Sequence, residues 1–382
     1  MKLAINAFNI RMGGGVTHLV ELLSAAEPSR YNFSVVTVFG TDSVLRKIPD
    51  RTWLEKQVVT DFDRWLLKKI WWNFFIFPKL VKNFDILYLP GGSYLGKSRL
   101  FVVFFQNILP FDIKEKRRYL RAEPKIFFRL YLLRFIQYFT YKRSGGAIFP
   151  TCYAKEVIDR NLPGKLNEVS CKTIPHGINA NFLNSKEREN SALSQEVKLL
   201  YVSTVDLYKH QWLLIKAVGE LRKRGINASL TLIGSVGGNA SRLLLESAIK
   251  EVDREGEFIF FLGDIAYEDL PRFYQEADVF VFPSSCESIS SIIQEAMASG
   301  LPIACSNRGA MSEILKDAGV YFDPEKPDEM IKALYQLIMD PALRNSCAKK
   351  AKQYSVEYTW KRCADETFSF FQAVAKGKTC VE

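Results

Sequence analysis

Short apolar runs alternate with longer helical stretches along the whole chain, and no other feature restricts the fold as strongly. The candidate strands of the first half are Leu3–Ala7, Ser34–Phe39, Ile86–Leu89, Phe101–Phe105, Ala147–Pro150 and Val169–Ile174. Those of the second half are Lys198–Val202, Ser229–Ile233, Phe258–Leu262, Val279–Phe282, Pro302–Cys305 and Val320–Phe322. Continuous apolar strands alternating with helices are typical of parallel sheets with crossover helices. The sequence therefore predicts an α/β fold of Rossmann-like domains.

The length of 382 residues predicts two domains, because a single core rarely grows to this size. A stretch at 175–194 combines Pro, Gly, Asn and charged residues without any period, as linkers do. We predict an N-terminal domain at 1–175, a linker at 176–194 and a C-terminal domain at 195–358. Residues 359–382 are predicted to form a helix that crosses back to the N-terminal domain.

The seven cysteines and three histidines indicate neither a disulfide framework nor a metal site. The cysteines show no Cys-x-x-Cys pair, as expected for reduced thiols in a cytoplasmic protein. The histidines are far apart, so we expect no metal, and no cofactor is expected. No apolar stretch reaches the ~20 residues that span a bilayer, so a protein integral to a membrane is not expected.

Three segments carry residues suited to an anionic, hydroxyl-rich ligand. Gly13 to Gly15 follow the first strand and precede a helix, where backbone amides can approach an anion, although a plain tight turn is the alternative. Lys209 follows the strand Lys198–Val202 and suits a phosphate; a solvated lysine is the alternative. Its neighbour His210 is a possible base, with a partly exposed helix histidine as the safer interpretation.

The third segment, Cys286 to Met297, places two glutamates around the start of a helix. Small polar residues precede an apolar-periodic run, so the amides of Ser288 to Ser291 are expected to face a ligand. Glu287 in the loop can accept hydrogen bonds from sugar hydroxyls. Glu295, about two turns later, can reach a second set. A charge that merely complements the helix dipole is the alternative for one such glutamate.

This segment resembles the Glu–seven residues–Glu motif of glycosyltransferase family 4, the retaining enzymes of the GT-B fold. The resemblance extends over nearly the whole chain, through Ile174-Pro175-His176-Gly177-Ile178-Asn179, Leu232-Ile233-Gly234, Phe261-Leu262-Gly263, Ala277-Asp278-Val279, Gly300-Leu301-Pro302 and Ala318-Gly319-Val320. It implies two Rossmann-like domains facing each other across a cleft. It also implies a nucleoside-diphosphate sugar donor and a retained anomeric configuration without an essential metal.

The resemblance also implies a role for each site residue. Glu287 and Lys209 are the expected catalytic residues, with Glu287 on the donor sugar and Lys209 on the diphosphate, and Glu295 holds the ribose. The other expected donor-binding residues are Ser288, Ile289, Ser290, Ser291, Gly263, Thr204, Gly14 and Gly15. Thr204 stands where the family commonly has an arginine, so Lys209 carries more of the charge. Gln106 and Asn107 replace a usual histidine–aspartate pair; they can bind sugar or acceptor hydroxyls but cannot act as bases near neutral pH.

The basic charge is concentrated in the first half, where residues 1–175 carry 28 Lys and Arg against 14 Asp and Glu. Two stretches, Arg64–Lys82 and Lys114–Arg143, interleave basic and aromatic residues, as an interfacial helix on anionic lipid does. A core of aromatics with a solvated charged face is the alternative. No nucleic-acid motif accompanies the charge, so we expect no nucleic acid partner. Asp61-Phe62-Asp63 matches a metal-binding pattern of another glycosyltransferase fold but is interpreted as a loop.

The preferred hypothesis is a retaining glycosyltransferase with a lipid-linked or oligosaccharide acceptor, in surface-polysaccharide (for example O-antigen) biosynthesis. A mannosyl donor is suggested by the resemblance of the loop Tyr208-Lys209-His210-Gln211. The protein is expected in the cytoplasm, peripheral on the inner face of the cytoplasmic membrane. The alternatives are a nucleotide-sugar epimerase of the same architecture and a non-catalytic sugar-nucleotide-binding protein.

Overall fold

The computed structural model describes residues 1–11, 13–59, 71–97, 100–162, 169–183 and 196–377. They form two compact units, each built around one parallel sheet. Unit 1 comprises Met1–Phe111, Phe128–Gly177 and Thr359–Glu382, and unit 2 comprises Asp112–Phe127 and Ile178–Tyr358. The predicted Asp61-Phe62-Asp63 loop lies outside the described residues, as do parts of the stretch Arg64–Lys82, of the linker and of the C-terminal segment.

The sheet of unit 1 has the order β3-β2-β1-β4-β5-β6-β7 within the described residues. Its strands are β1 (Lys2–Asn6), β2 (Val35–Gly40), β3 (Leu54–Val58), β4 (Ile86–Leu89), β5 (Phe101–Phe104), β6 (Gly146–Phe149) and β7 (Ser170–Thr173). All neighbours pair in parallel. The order reverses between β1 and β4, so loops that follow these two strands diverge and leave a crevice at their carboxyl ends.

The sheet of unit 2 has the order β10-β9-β8-β11-β12-β13 and is also parallel. Its strands are β8 (Val197–Val202), β9 (Ala228–Ile233), β10 (Ile259–Phe261), β11 (Val279–Phe282), β12 (Ile303–Ser306) and β13 (Gly319–Phe322). Here the order reverses between β8 and β11. Two Rossmann-like sheets confirm the predicted fold class, and every strand predicted from the sequence overlaps an observed one.

The described α-helices are numbered along the chain. They are α1 (Gly14–Ala25), α2 (Asp42–Leu45), α3 (Phe77–Leu80), α4 (Ile113–Ala122), α5 (Pro124–Arg143), α6 (Cys152–Asn161), α7 (Ala180–Leu183), α8 (Gln211–Lys223), α9 (Asn239–Val252), α10 (Leu270–Glu276), α11 (Ser291–Ala298), α12 (Met311–Leu315), α13 (Pro327–Met339), α14 (Pro341–Ser355) and α15 (Trp360–Ala375). No helix among the described residues is long and apolar enough to cross a membrane.

The core of unit 1 joins the two ends of the chain. Helix α15 packs against α1 and contributes Phe368 and Phe371, both fully buried, to the cluster that contains Leu3 and Leu19. Large aromatic side chains bury more apolar area than any other residue type, so this contact is a major part of the core. The C-terminal helix is therefore an integral part of unit 1.

The segment Asp112–Phe127 clusters with unit 2, whereas the predicted N-terminal domain, 1–175, includes it. Side chains of this segment contact residues of unit 2 that are far away in sequence, and local sequence patterns do not reveal such contacts. Tyr119 is buried and donates its hydroxyl to Asp206, which follows β8. The Glu123 carboxylate accepts from the amide of Ala240, in the first turn of α9, where a negative charge is stabilised by the helix dipole.

Candidate functional site

The loops that follow β8 and β11 meet in unit 2 at the point where its strand order reverses. In an open parallel sheet this is the position of a ligand crevice, because the crossover helices leave in opposite directions there. The first loop carries Lys209 and the second carries Glu287. The two residues predicted to be catalytic therefore lie on adjacent loops, although 78 positions separate them in sequence.

Lys209 and Glu287 form a buried ion pair. The Lys209 ammonium donates to the Glu287 carboxylate, and the side chains are only 9% and 14% exposed. The Ser284 hydroxyl donates to the same carboxylate oxygen over 2.7 Å. The ammonium also lies 5.0 Å from the ring centroid of Tyr208. A buried charge must be paired, so a ligand that takes Lys209 away from Glu287 has to supply its own negative charge.

Next to this pair, hydrogen bonds connect the loop after β8 to the loop after β11. The Ser285 amide donates to the Tyr208 carbonyl over 2.9 Å, and the Ser285 hydroxyl lies 3.0 Å from Nε2 of His210. Burial, aided by the positive charge of Arg118, lowers the pKa of His210 to about 4. The interpretation of His210 as a partly exposed helix residue is wrong, because it is buried. The His210 ring therefore connects the loop after β8 to the loop after β11.

Gly309 supports the backbone of Glu287 from the loop after β12. Its φ of +71° is in the left-handed region, and a side chain there would lie 3.1 Å from both the amide nitrogen and the carbonyl oxygen of Glu287. The next amide, of Ala310, donates to the Glu287 carbonyl over 3.2 Å. Only glycine combines this conformation with this close approach, so the position of Glu287 depends on Gly309.

Helix α11 begins at Ser291, four residues after Glu287. Ser290 is its N-cap, and its hydroxyl accepts from the amide of Ile293 over 3.2 Å. The predicted donor-binding run is mostly protected from solvent: Ser288 and Ser290 are buried, while Ile289 and Ser291 are partly exposed. The positive end of the helix dipole points toward the loop, which favours an anion there.

Glu295 lies inside α11 and is only 5% exposed. Its Oε1 accepts from the Tyr267 hydroxyl over 2.9 Å, and its Oε2 accepts from the Tyr274 hydroxyl over 3.0 Å. Burial raises the pKa of the Glu295 carboxyl to about 7, against the two tyrosine hydrogen bonds, which favour the ionised form.

The remaining predicted positions of unit 2 lie on loops that follow neighbouring strands. Thr204 follows β8, is exposed, and its carbonyl accepts from the Gln211 side chain over 3.0 Å. Gly263 follows β10 with a φ of +70° and open space around it, and its carbonyl accepts from the amide of Gly234 over 2.7 Å. These loops share the carboxyl edge of the sheet with Lys209 and Glu287.

The predicted residues of unit 1 gather at the strand reversal of that unit. Gly14 and Gly15 begin α1 after the loop that follows β1. The side-chain amide of Gln106, after β5, donates to the carbonyl of Pro90 over 3.4 Å, and a Cβ added at Gly15 would lie 3.9 Å from the Gln106 side-chain oxygen. The Asn107 side chain accepts from the amide of Leu109 over 3.0 Å and is exposed.

Sequence reasoning missed the residues that support the site: Ser284, Tyr267, Tyr274 and Gly309. Serines and tyrosines are common on loops, and nothing in their spacing separates these from others. Gly309 follows a predicted strand and precedes a helix start, which was the one available signal. Within the described ranges no group of three or more His, Cys, Asp or Glu side chains could hold a metal ion.

Several solved structures superpose on this chain over nearly its whole length. Sucrose-phosphate synthase from Thermosynechococcus elongatus superposes with a TM-score of 0.78 at 15% identity, over 99% of this chain and 100% of that one. Anabaena HepE, solved in complex with UDP-glucose, superposes with a TM-score of 0.71 at 17% identity, over 99% of each chain. At these identities the likeness concerns the fold, which is that of GT-B proteins.

Sequence relatives match only part of the chain. The O-antigen chain mannosyltransferase B of Escherichia coli is 31% identical over 129 residues, which are 34% of this chain and 34% of that protein. The chain spans about a third to a half of the length of the curated relatives that it matches. The family model described as glycosyl transferases group 1 matches residues 184–354. These residues, which carry the Lys209–Glu287 pair, are therefore similar to the group 1 glycosyl transferases.

Proposed function

We propose that the protein is a retaining glycosyltransferase that uses a nucleoside-diphosphate sugar as donor. The observation that carries the proposal is the buried Lys209–Glu287 pair at the strand reversal of unit 2, beside the positive end of α11. A diphosphate carries the negative charge that can replace Glu287 as the partner of Lys209. The displaced carboxylate is then available to accept hydrogen bonds from the donor sugar.

Each side chain has a separate role in this reaction. As the bond between the sugar and the diphosphate breaks, negative charge grows on the leaving oxygen, and Lys209 with the N-terminal end of α11 stabilises it. Glu287 orients the donor sugar, and Glu295 holds the ribose. A phosphate oxygen of the leaving group takes the proton of the acceptor hydroxyl. We propose that no metal ion or other cofactor takes part.

The relatives support narrower statements about donor and acceptor. A partial sequence relative is an O-antigen chain mannosyltransferase, which supports a mannosyl donor and a saccharide acceptor in surface-polysaccharide biosynthesis. HepE, which shares the fold, was solved with UDP-glucose, and another protein of the same fold, WaaG, is a glycosyltransferase involved in lipopolysaccharide biosynthesis. We propose a lipid-linked or oligosaccharide acceptor. Gly14 and Gly15 as donor contacts, and Gln106 and Asn107 as contacts to sugar or acceptor hydroxyls, remain predictions.

The first test is a thermal-shift screen of UDP, GDP and ADP with their glucose and mannose derivatives. The base and sugar that stabilise the protein most identify the donor for transfer and hydrolysis assays. We expect Lys209→Ala and Glu287→Ala each to lower transfer by at least about 100-fold, equivalent to about 2.7 kcal/mol of transition-state stabilisation. The product should keep the anomeric configuration of the donor, as NMR of the product will show.

The matched control is a second lysine–glutamate pair of unit 2 that lies on the surface. Lys216 pairs with Glu251, and these side chains are 44% and 59% exposed. Lys216→Ala should leave transfer unchanged. Transfer that survives in Lys209→Ala would refute the site. Donor binding without transfer or hydrolysis would favour the non-catalytic alternative, and an epimerised sugar without an acceptor would favour the epimerase.

We also propose that the protein attaches peripherally to the cytoplasmic face of an anionic membrane through α5. Phe128, Tyr131, Leu132 and Phe135 have the spacing of one helix face, and all are exposed, Phe128 to 67%. These four side chains are therefore not core residues, which supports the proposal. Exposed Lys125, Arg129, Lys142 and Arg143 lie on the same helix and can contact anionic headgroups.

Flotation with liposomes tests this attachment. We expect the protein to float with vesicles that contain phosphatidylglycerol at low salt, and to float less as salt screens the basic residues. The double variant Phe128→Ser/Phe135→Ser should lose most of this binding. Leu243→Ser, at a similarly exposed position of unit 2, is the control and should float normally. Absence of the wild type from the floated fraction at low salt would rule out the attachment.

A further inference from the structure

The carboxylate of Glu295 is held by two tyrosines from two different elements. Tyr267 lies in a single 3₁₀ turn, Tyr267–Asp269, and Tyr274 lies on α10. Phe182 of α7 packs against both rings, with centroid distances of 5.7 Å to Tyr267 and 5.3 Å to Tyr274. The two hydroxyls reach different oxygens of the same carboxylate, at 2.9 Å and 3.0 Å. The packing fixes the rings, so the hydroxyls fix the carboxylate.

This arrangement leaves room for two more donors. Each carboxylate oxygen has two lone-pair directions, and one tyrosine occupies one direction on each oxygen. The pair of ribose hydroxyls of a nucleotide presents two adjacent O–H donors, which match the two remaining directions. Among the described residues no lysine or arginine forms an ion pair with Glu295, so neutral hydroxyls alone hold its charge.

We propose that Tyr267 and Tyr274 are positioning residues that orient the Glu295 carboxylate to receive both ribose hydroxyls of the donor. The inference rests on the proposed function, since it assigns the ribose of the donor to Glu295. It adds two residues, and it makes donor affinity depend on the protonation of one carboxylate. A protonated carboxyl donates from one oxygen, and therefore cannot accept from both ribose hydroxyls.

The charge state of Glu295 follows from its surroundings. Burial raises the pKa of its carboxyl to about 7, and the hydroxyls of Tyr267 and Tyr274 counteract part of this rise. Helices α7, α12 and α14 pack against α11. Phe182 of α7 is apolar, and Lys352 of α14 lies next to Gly300, beyond the other end of α11. Glu313 is the acidic residue of α12. None of these groups contributes to the pKa shift, so the two tyrosines are the groups to change.

The experiment measures the affinity for UDP and GDP by calorimetry at pH 7 and pH 9. The ionisation of the free nucleotide is the same in every measurement at one pH, so it cancels when variants are compared. The wild type should bind about twofold more weakly at pH 7 than at pH 9, because about half of Glu295 is protonated at a pKa of about 7. In Tyr267→Phe the carboxylate loses one donor and its pKa rises further, so we expect about a tenfold difference between the two pH values.

Two controls separate orientation from stability. Tyr335→Phe removes a hydroxyl from an exposed tyrosine of α13 and should follow the wild type. The 2′-deoxy forms, dUDP and dGDP, lack one ribose donor, so the gap between Tyr267→Phe and the wild type should shrink with them. A structural defect would instead weaken all four nucleotides equally at both pH values. Tyr274→Phe, at a buried position, should show the same pH profile wherever its melting temperature stays near that of the wild type.

The outcomes distinguish this inference from the function on which it rests. If the wild type binds UDP or GDP and Tyr267→Phe shows the same pH profile as Tyr335→Phe, the positioning role is refuted and the proposed donor class stands. If the folded wild type binds none of the four nucleotides at either pH, the proposed function fails and this inference fails with it. A steeper pH profile in Tyr267→Phe that flattens with the deoxy nucleotides supports it.

Discussion

Gly177 sits where the chain leaves unit 1 and lies directly against the backbone at the start of α15. A side chain added at this residue would lie 2.2 Å from the amide nitrogen of Trp360 and 2.6 Å from the carbonyl carbon of Thr359. Thr359 is the N-cap of the helix and accepts from the amide of Arg362 over 3.2 Å. Backbone atoms cannot rotate away as a side chain can, so the clash has to move the helix.

We expect Gly177→Ala to lower the free energy of unfolding by about 2 kcal/mol or more, because overpacking against backbone disturbs the contact between α15 and the core. The melting temperature of unit 1 should fall by about 5 °C in differential scanning calorimetry. Gly14→Ala is the matched control, since Gly14 begins α1 with open space around it and an alanine there is favourable for a helix. Equal melting temperatures for both variants would show that the close contact between Gly177 and the start of α15 does not limit the stability of unit 1.

At the same scale, the sequence located the charged residues of the site but not their environment. Lys209 and Glu287 could be predicted because each follows an apolar strand, and the carboxyl ends of parallel strands share one edge. The burial of His210 could not, because it depends on Ser285 in the opposite loop. The tyrosine partner of Glu295 at position 274 lies 21 residues away on a separate helix. Such contacts are set by packing, which local patterns do not report.

At the scale of the element, most of the strands that the sequence predicts are largely buried, as β4, β5 and β11 are. The strand that it misses, β3, has the sequence Leu-Glu-Lys-Gln-Val and lies at the edge of the sheet, where it pairs only with β2. Its polar residues have partners instead: Glu55 accepts from Thr37 over 2.9 Å, and Lys56 donates to Asp50 over 2.6 Å. An edge strand exposes one side to water and so does not need an apolar run.

Helix α4 is the second example at this scale, because ion pairs connect it to the rest of unit 2. Arg118 pairs with Glu115 of its own helix and with Glu325, which also pairs with Arg308. Glu325 accepts hydrogen bonds from Lys114, Arg118 and Arg308. These three cations hold the pKa of the Glu325 carboxyl well below its usual range, although partial burial acts to raise it. From the sequence, the basic run that includes α4 is predicted to be a surface for lipid. In α4, part of that charge is used inside the protein.

At the scale of the whole molecule, unit 1 unites three distant segments of chain around two histidines. His18 of α1 stacks on His176, in the segment after β7, with ring centroids 4.5 Å apart. Trp360 of α15 stacks on His176 at 5.7 Å, and Nε2 of His18 lies 3.3 Å from the hydroxyl of Tyr88. Both histidines are buried. The packing of these three segments against one another therefore depends on two imidazoles that must stay neutral.

This dependence predicts that unit 1 is sensitive to acid. Burial lowers the pKa of His176 to about 4, and burial together with the charge of His176 lowers the pKa of His18 well below its usual value. In the unfolded chain both titrate near 6.5, so unfolding takes up protons as the pH falls from 6.5 toward 4. The stability is fully present above 6.5, and His176 alone should remove about 2 kcal/mol of it by pH 5. In unit 2 two effects oppose each other as the pH falls. The lowered pKa of His210 makes the folded state of unit 2 less stable in acid, whereas the raised pKa of Glu295 makes it more stable.

Hydrogen exchange at pH 7 and pH 5, corrected for the intrinsic exchange rates, compares the two units in one sample. We expect the peptides of α1, β5 and α15 to lose more protection at pH 5 than those of β8 and β11, because only unit 1 has two buried histidines in contact. His176→Gln cannot take up a proton, so it should reduce the loss in unit 1 while leaving unit 2 unchanged. A loss of protection in unit 1 that equals that in unit 2, or that is the same in His176→Gln, would show that acid acts through other groups.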